Sequence, residues 1–123
     1  MGNLTFVIAD DAMFMRSLLR RMIEENQHYS VVGEAANGNE AIEHARNLKP
    51  DIMILDITMP EKDGLEAIEE ILKVSPNTKI IMVSAMGEQS LVMEAIKMGA
   101  KDFIIKPFDK YRVLEAIKNA TLA

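Results

Sequence analysis

The chain has 123 residues, 49% apolar and 27% charged, which fits one folded domain with a single core and excludes a disordered protein. The net charge of −5 argues against a nucleic-acid partner, because phosphate backbones are bound by basic surfaces. The chain has no cysteine, hence no disulfide or thiolate metal site, and no signal peptide or membrane-length apolar run, so we expect a cytoplasmic protein without a membrane partner.

Apolar runs, turn residues and amphipathic stretches predict that strand and helix alternate five times along the chain. The predicted elements are, in order, strand 4–9, helix 13–26, strand 31–35, helix 38–48, strand 52–56, helix 64–74, strand 79–84, helix 88–98, strand 102–105 and helix 109–121. Three strands are almost continuously apolar, which is typical of parallel strands covered on both faces. We therefore predict an α/β fold, a doubly wound five-stranded parallel sheet with five helices, as one domain over residues 1–123.

One common strand order for such a sheet is the flavodoxin-like 2-1-3-4-5, in which ligands bind beyond the carboxyl ends of strands 1 and 3. Asp10 and Asp11 follow the first strand, and Asp56 closes the third. Lys106 follows the fifth strand, so all four charges are predicted to converge at one edge of the sheet. Each also has a simpler interpretation: Asp11 could cap a helix, Asp56 could be a turn residue, and Lys106 could be a solvated loop lysine.

Together the charges favour a metal and phosphate site. Two like charges about 4 Å apart repel by roughly 4 kcal/mol at a dielectric of 20, so three carboxylates need compensating cations. Lys106 supplies one positive charge, and oxygen ligands in a chain without cysteine favour Mg²⁺, or Mn²⁺, as the other cation. Asp56 is then a candidate nucleophile that accepts a phosphoryl group as an acyl phosphate. Ser84, predicted to end the fourth strand, could bond a phosphate oxygen or could only cap that strand.

Several dispersed motifs carry a family resemblance over essentially the whole chain. They are Asp10-Asp11, the segment 56–64 (DITMPEKDG), Ser84-Ala85 and Lys106-Pro107. In this order they resemble the receiver domain of bacterial two-component response regulators. The segments 10–16 (DDAMFMR), 33–38 (GEAANG) and 84–87 (SAMG) most resemble the stand-alone chemotaxis regulators of the CheY type.

The resemblance implies a metal site around a phosphoacceptor. Asp10 and Asp11 would be the acidic pair that binds the ion, and Asp56 would both ligate the ion and accept the phosphoryl group. In relatives, the residue two positions past the phosphoacceptor ligates the ion through its backbone carbonyl, and here that residue is Thr58. The implied cofactor is therefore Mg²⁺.

The resemblance also implies a switch. Ser84 would be the switch hydroxyl and Lys106 the phosphate-binding lysine, with a cis peptide bond between Lys106 and Pro107. Phe103 stands where many chemotaxis members carry a switch tyrosine, so it could swing between rotamers or simply fill the core. Met86 is predicted to lie near the mouth of the site, where an apolar group would affect water access and hence the lifetime of the phosphoryl group.

The implied function is that of a monomeric, phosphorylation-operated phosphorelay switch and not a turnover enzyme. A chemotaxis-type histidine kinase would phosphorylate Asp56, and slow autodephosphorylation or a phosphatase would reverse the change. The surface built from the fourth helix, fifth strand and fifth helix would then change its affinity for a target, expected to be the flagellar motor switch protein.

Other functions fit the residues less well. The chain could be the receiver of a longer regulator, such as a transcription factor or a methylesterase. A haloacid-dehalogenase-like phosphatase would need a second aspartate where Thr58 stands, and a flavodoxin would need a glycine- and hydroxyl-rich loop after the first strand. A binding scaffold that is never phosphorylated is disfavoured, because every site residue is present.

Overall fold

A computed structural model describes residues 3–122, in which five strands and five helices alternate. In chain order they are β1 Leu4–Ala9, α1 Met13–Glu24, β2 Tyr29–Ala35, α2 Gly38–Leu48, β3 Ile52–Asp56, α3 Gly64–Val74, β4 Lys79–Ser84, α4 Gln89–Met98, β5 Asp102–Ile105 and α5 Lys110–Leu122. The five strands form one sheet in the order β2-β1-β3-β4-β5, with every neighbouring pair parallel. The predicted fold class and strand order are confirmed.

The first helix and second strand differ from the prediction by two residues each. β2 begins at Tyr29 because its ring packs on Phe6, 5.2 Å between ring centroids, and its backbone is in register with Leu4 of β1. An aromatic residue before a short apolar run carries little strand signal of its own, so this extension comes from tertiary packing. α1 correspondingly ends at Glu24, which leaves residues 25–28 to form the turn into β2.

The sheet is covered on both faces, which explains why its central strands are apolar without alternation. Along β1, Val7 and Ala9 pack into the core shared with α2, α3 and α4. Phe6 and Ile8 point the other way, into the core shared with α1 and α5. Two well-filled cores of this kind hold the strands rigidly, so the residues at the strand ends have fixed positions.

The loop after β3 is held close to that strand by two helix starts. Asp63 caps α3 in a reciprocal capping box, in which its side chain accepts from the Glu66 amide at 2.9 Å. The next residue, Gly64, donates its amide to the Ile57 carbonyl at 2.8 Å, and a Cβ at Gly64 would overlap the Asp56 carbonyl oxygen. Only glycine therefore lets α3 start this close to the end of β3. The same loop accepts the amide of Gly38, the first residue of α2, at the Lys62 carbonyl, 2.7 Å away.

Candidate metal and phosphoacceptor site

The sheet brings the predicted charges together at its carboxyl edge. Asp10 follows the last residue of β1, and Asp56 is the last residue of β3, the neighbouring strand at which the winding reverses. Oxygens from Asp10, Asp11 and Asp56 all lie within 4.8 Å of one another. Asp10 and Asp56 are buried, whereas Asp11 is exposed. The cluster is therefore an acidic pocket with one wall open to solvent.

Lys106 bridges the two buried carboxylates. Its Nζ lies 3.3 Å from Asp10 Oδ2 and 3.3 Å from Asp56 Oδ2. The Lys106 amide also donates to the Ser84 carbonyl at 2.8 Å, which fixes the start of the loop after β5, and the Lys106–Pro107 peptide bond is cis. The interpretation of Lys106 as a solvated loop lysine is therefore wrong, because its ammonium is committed to the acidic pocket.

The pocket perturbs the protonation of its members. Burial raises the pKa of Asp56 to about 6, and the charge of Asp10 adds to this, while Lys106 and the Thr58 amide oppose it. Burial alone would lower the pKa of Lys106, but the charges of Asp56 and Asp10 outweigh burial and raise that pKa. The raised pKa shows that one lysine does not fully compensate the neighbouring carboxylates, and a further cation here would favour the ionised, nucleophilic form of Asp56. A set of carboxylate oxygens suits a hard divalent ion such as Mg²⁺.

Asp10 and Asp11 take different roles in the loop between β1 and α1. Asp10 Oδ1 accepts the Ala12 amide at 2.8 Å, so this side chain orders the loop as well as facing Lys106. Asp11 does not cap α1: the N-cap position is Ala12, which makes no side-chain cap bond. The helix-cap interpretation of Asp11 is therefore wrong, and its exposed carboxylate is available to a ligand in the pocket.

Ser84 and Thr58 occupy the rim beside Asp56. Asp56 is in register with Val83 of β4, so Ser84 lies one residue beyond the partner of Asp56. Ser84 is buried, and its Oγ accepts the Met86 amide at 3.0 Å, so its hydroxyl caps the end of the strand next to β3. Thr58 is exposed, and its amide hydrogen-bonds the Asp56 carboxylate. Asp56 is thus the buried last residue of β3, with its carboxylate hydrogen-bonded to the Thr58 amide, and not a turn residue.

The remaining predicted residues lie farther from the carboxylates. Phe103 on β5 is 7% exposed and packs in the core beneath α4, so the structure describes its buried rotamer. Met86 is 50% exposed in the loop after β4, two residues beyond Ser84. The sequence did not predict that Arg16 contacts the site, but its Nη1 donates to the Asp10 carbonyl at 2.7 Å. The available signal was its position in the first turn of α1, six residues after Asp10, which keeps an arginine close to the loop that carries Asp10.

No helix within residues 3–122 is long and apolar enough to cross a membrane.

Residues 6–118 match the family model of the response regulator receiver domain. The chain is 56% identical over 115 residues to the chemotaxis protein CheY of Thermotoga maritima, covering 94% of this chain and 95% of that protein. It is 53% identical over 117 residues to the chemotaxis protein CheY of Listeria monocytogenes, covering 95% and 98% respectively.

A solved structure agrees with the sequence relatives. The chain superimposes with a TM-score of 0.93 and 32% identity on a chain of the CheX-CheY-BeF3-Mg²⁺ complex from Borrelia burgdorferi, covering 99% of this chain and 92% of the other. The pocket of Asp10, Asp11 and Asp56 is the acidic pocket at which receiver domains bind Mg²⁺. The chain therefore belongs to the response regulator receiver domain family, as a phosphorylation-operated signalling switch of the chemotaxis type.

Proposed function

We propose that Asp56 is the residue phosphorylated in this switch. We also propose that the receiver domain spans residues 1–123. The observation that carries the proposal is the ammonium of Lys106 between two buried carboxylates, 3.3 Å from an oxygen of each. Such a bridge places positive charge at the end of β3, where a phosphoryl group on Asp56 would bring its own negative oxygens. A purely structural ion pair would not need the third carboxylate, Asp11, exposed on the same rim.

The chemical step is an in-line displacement at phosphorus. An oxygen of Asp56 attacks the phosphorus of a phosphohistidine, the P–N bond breaks, and its electron pair stays on the departing imidazole nitrogen. The product is an acyl phosphate on Asp56. The Lys106 ammonium stabilises the charge that develops on the phosphoryl oxygens, since it is already held within reach of Asp56.

Asp10, Asp11, Asp56 and the backbone carbonyl of Thr58 would hold a divalent cation in this pocket, Mg²⁺ or alternatively Mn²⁺. When bound, the cation neutralises the carboxylates and the phosphoryl oxygens. The residues fit a hard ion, because the three acidic side chains offer only carboxylate oxygens as ligands. The single positive charge of Lys106 leaves the cluster short of positive charge.

Phosphorylation is read out through the loop after β4. The Ser84 hydroxyl can donate to a phosphoryl oxygen, and because its oxygen also accepts the Met86 amide, a shift of Ser84 toward the phosphoryl group would draw the loop with it. Movement of that loop changes the packing around Phe103, which lies in the strand next to β4. In this way a local charge change biases an element that has two packings.

The affected surface consists of α4, β5 and α5. It exposes five large apolar side chains: Met93, Ile96, Ile105, Tyr111 and Leu122. A groove of about 580 Å³ runs along α4 past Met93 and Ile96. Exposed apolar patches of this kind mark protein-binding sites. We propose that the partner there is a flagellar motor switch protein, in the cytoplasm.

Two further partners act on the phosphoryl group itself. A chemotaxis histidine kinase supplies it, and a phosphatase, as well as slow autodephosphorylation, removes it. The solved relative in complex with CheX is the reason for including a phosphatase. We expect the chain to act as a monomer and to bind no nucleic acid, since its net charge is −5.

The proposal is tested by incubating the protein with Mg²⁺ and a small-molecule phosphodonor, followed by intact-mass measurement. Wild type should gain one phosphoryl group, and Asp56→Asn should gain none. The control is Asp51→Asn, because Asp51 adjoins the opposite end of the same strand, where its carboxylate binds Thr5. Labelling of Asp56→Asn at the level of wild type, or loss of labelling in both variants, would contradict the proposal.

A further inference from the structure

The backbone amide, the backbone carbonyl and both carboxylate oxygens of Asp10 each contact a polar partner. Its amide donates to the Ala35 carbonyl at 2.9 Å, and its Oδ1 accepts from Ala12 at 2.8 Å. Its Oδ2 faces Lys106 at 3.3 Å. The fourth contact comes from outside the pocket: Arg16 Nη1 donates to the Asp10 carbonyl at 2.7 Å, the shortest of the four. Hydrogen bonds to its backbone amide and carbonyl thus fix the position of Asp10 in the pocket.

Arg16 is itself oriented by a carboxylate on the edge strand. Its Nε donates to Glu34 Oε1 at 2.9 Å, and its side chain is 15% exposed, so the guanidinium is nearly enclosed. Arg20, one turn further along α1, donates to the other oxygen of Glu34 at 2.9 Å. Burial would raise the pKa of Glu34, but the two guanidiniums outweigh it and lower that pKa, so Glu34 stays ionised and keeps both arginines in place.

The planar fork of arginine is what allows one side chain to hold Glu34 and the Asp10 carbonyl together, because its donors diverge at fixed angles. Donors that orient the residues of a metal site act on affinity although they never touch the ion. From this geometry we infer that Arg16 is a positioning residue of the cation site, held by Glu34, which sets the orientation of Asp10 and of the adjoining Asp11. The inference rests on the proposed cation site.

Charge alone predicts the opposite sign. The guanidinium of Arg16 lies beside the acidic pocket and repels a divalent cation, so removing its charge would tighten cation binding. Removing a positioning contact would instead weaken binding, because the loop that carries Asp10 and Asp11 would then have to be ordered by the cation itself. The direction of the change in Mg²⁺ affinity therefore separates the two accounts.

The experiment is a titration of the unphosphorylated protein with Mg²⁺, followed by NMR shifts because the chain has no tryptophan. We expect Arg16→Ala to raise the Mg²⁺ dissociation constant about 10-fold. The matched control is Arg20→Ala, since Arg20 binds the same Glu34 but touches the Val31 carbonyl, at 3.5 Å, instead of Asp10. Its dissociation constant should stay within about 2-fold of wild type. An unchanged or tighter dissociation constant in Arg16→Ala overturns the inference.

A second variant covers the case in which Arg16→Ala does not fold. Arg16→Lys keeps the positive charge but has a single nitrogen in place of the separate Nε and Nη1 donors that bind Glu34 and the Asp10 carbonyl, so its dissociation constant should still rise, by about 3-fold. The carbonyl carbon shift of Asp10 in the metal-free protein should move in both Arg16 variants and not in Arg20→Ala. Equal weakening by the Arg16 and Arg20 variants would indicate general loosening of α1 and would overturn the inference. Absence of any Mg²⁺ response in wild type would instead refute the proposed cation site.

Discussion

The two ends of β3 carry the same residue type in opposite circumstances. Asp51, just before the strand, is exposed, and its Oδ2 accepts from the Thr5 amide at 2.8 Å and from the Thr5 hydroxyl at 3.1 Å. Asp56, at the other end, is 5% exposed and shares one lysine with Asp10. Asp51 is satisfied by local donors, whereas Asp56 lies in a pocket with too little positive charge. The end of β3 that we propose to be functional is thus the one whose carboxylates lack sufficient positive charge.

The largest expected effect comes from removing the lysine at the functional end. Lys106→Ala should slow phosphorylation of Asp56 by the small phosphodonor on the order of 100-fold, because the charge that develops on the phosphoryl oxygens loses its fixed counter-charge. The control is Lys101→Ala, since Lys101 adjoins the opposite end of the same strand, β5, and is exposed. Rates come from intact mass against time. Equal rates for the two variants would remove the distinction between the ends of the sheet.

The next effect concerns stability, and the two ends of β3 should respond with opposite signs. The pKa of Asp56 rises from 3.8 to about 6 on folding, so the folded state holds a proton that the unfolded state has lost, and stability falls as the pH rises through that window. Asp56→Asn abolishes this loss. At pH 7 without metal it should raise the free energy of unfolding by about 1–2 kcal/mol, below the full linkage value because the pocket is open to solvent.

At the other end, Asp51→Asn weakens the hydrogen bonds with Thr5 and should lower the free energy of unfolding by about 0.5–1 kcal/mol. Urea denaturation in the presence of a chelator, at pH 7 and again near pH 4, measures both variants. The gain in Asp56→Asn should shrink at the lower pH, because most of the loss of stability in the wild type occurs as the pH rises from about 4 to about 6. A destabilised Asp56→Asn at pH 7 would show that Asp56 is a structural carboxylate like Asp51.

The sequence was sufficient to predict that these charges converge, because the strands are continuous apolar runs whose carboxyl ends meet at one edge of a parallel sheet. The sequence thereby placed Asp10, Asp56 and Lys106 together, as the structure shows them. It could not place Arg16, because contact with the Asp10 carbonyl depends on the rotation of α1 about its axis and on Glu34 in a different strand. It also could not decide whether Asp11 caps α1, since a carboxylate before a helix has the same local pattern in both cases.

The smallest effect tests what sets the lifetime of the phosphoryl group at the functional end. Met86 is 50% exposed two residues beyond Ser84, to whose hydroxyl oxygen its amide donates, and we expect its thioether to keep the mouth of the pocket apolar. Met86→Glu should admit and orient water there and speed dephosphorylation about 3-fold. The control is Met93→Glu, because Met93 is 63% exposed on α4 and places the same new charge away from the loop after β4. The decay of the phosphorylated species, followed by intact mass, distinguishes the two variants. An unchanged decay rate in Met86→Glu would contradict a role for Met86 and would leave the lifetime to the charged residues of the pocket, which neither variant alters.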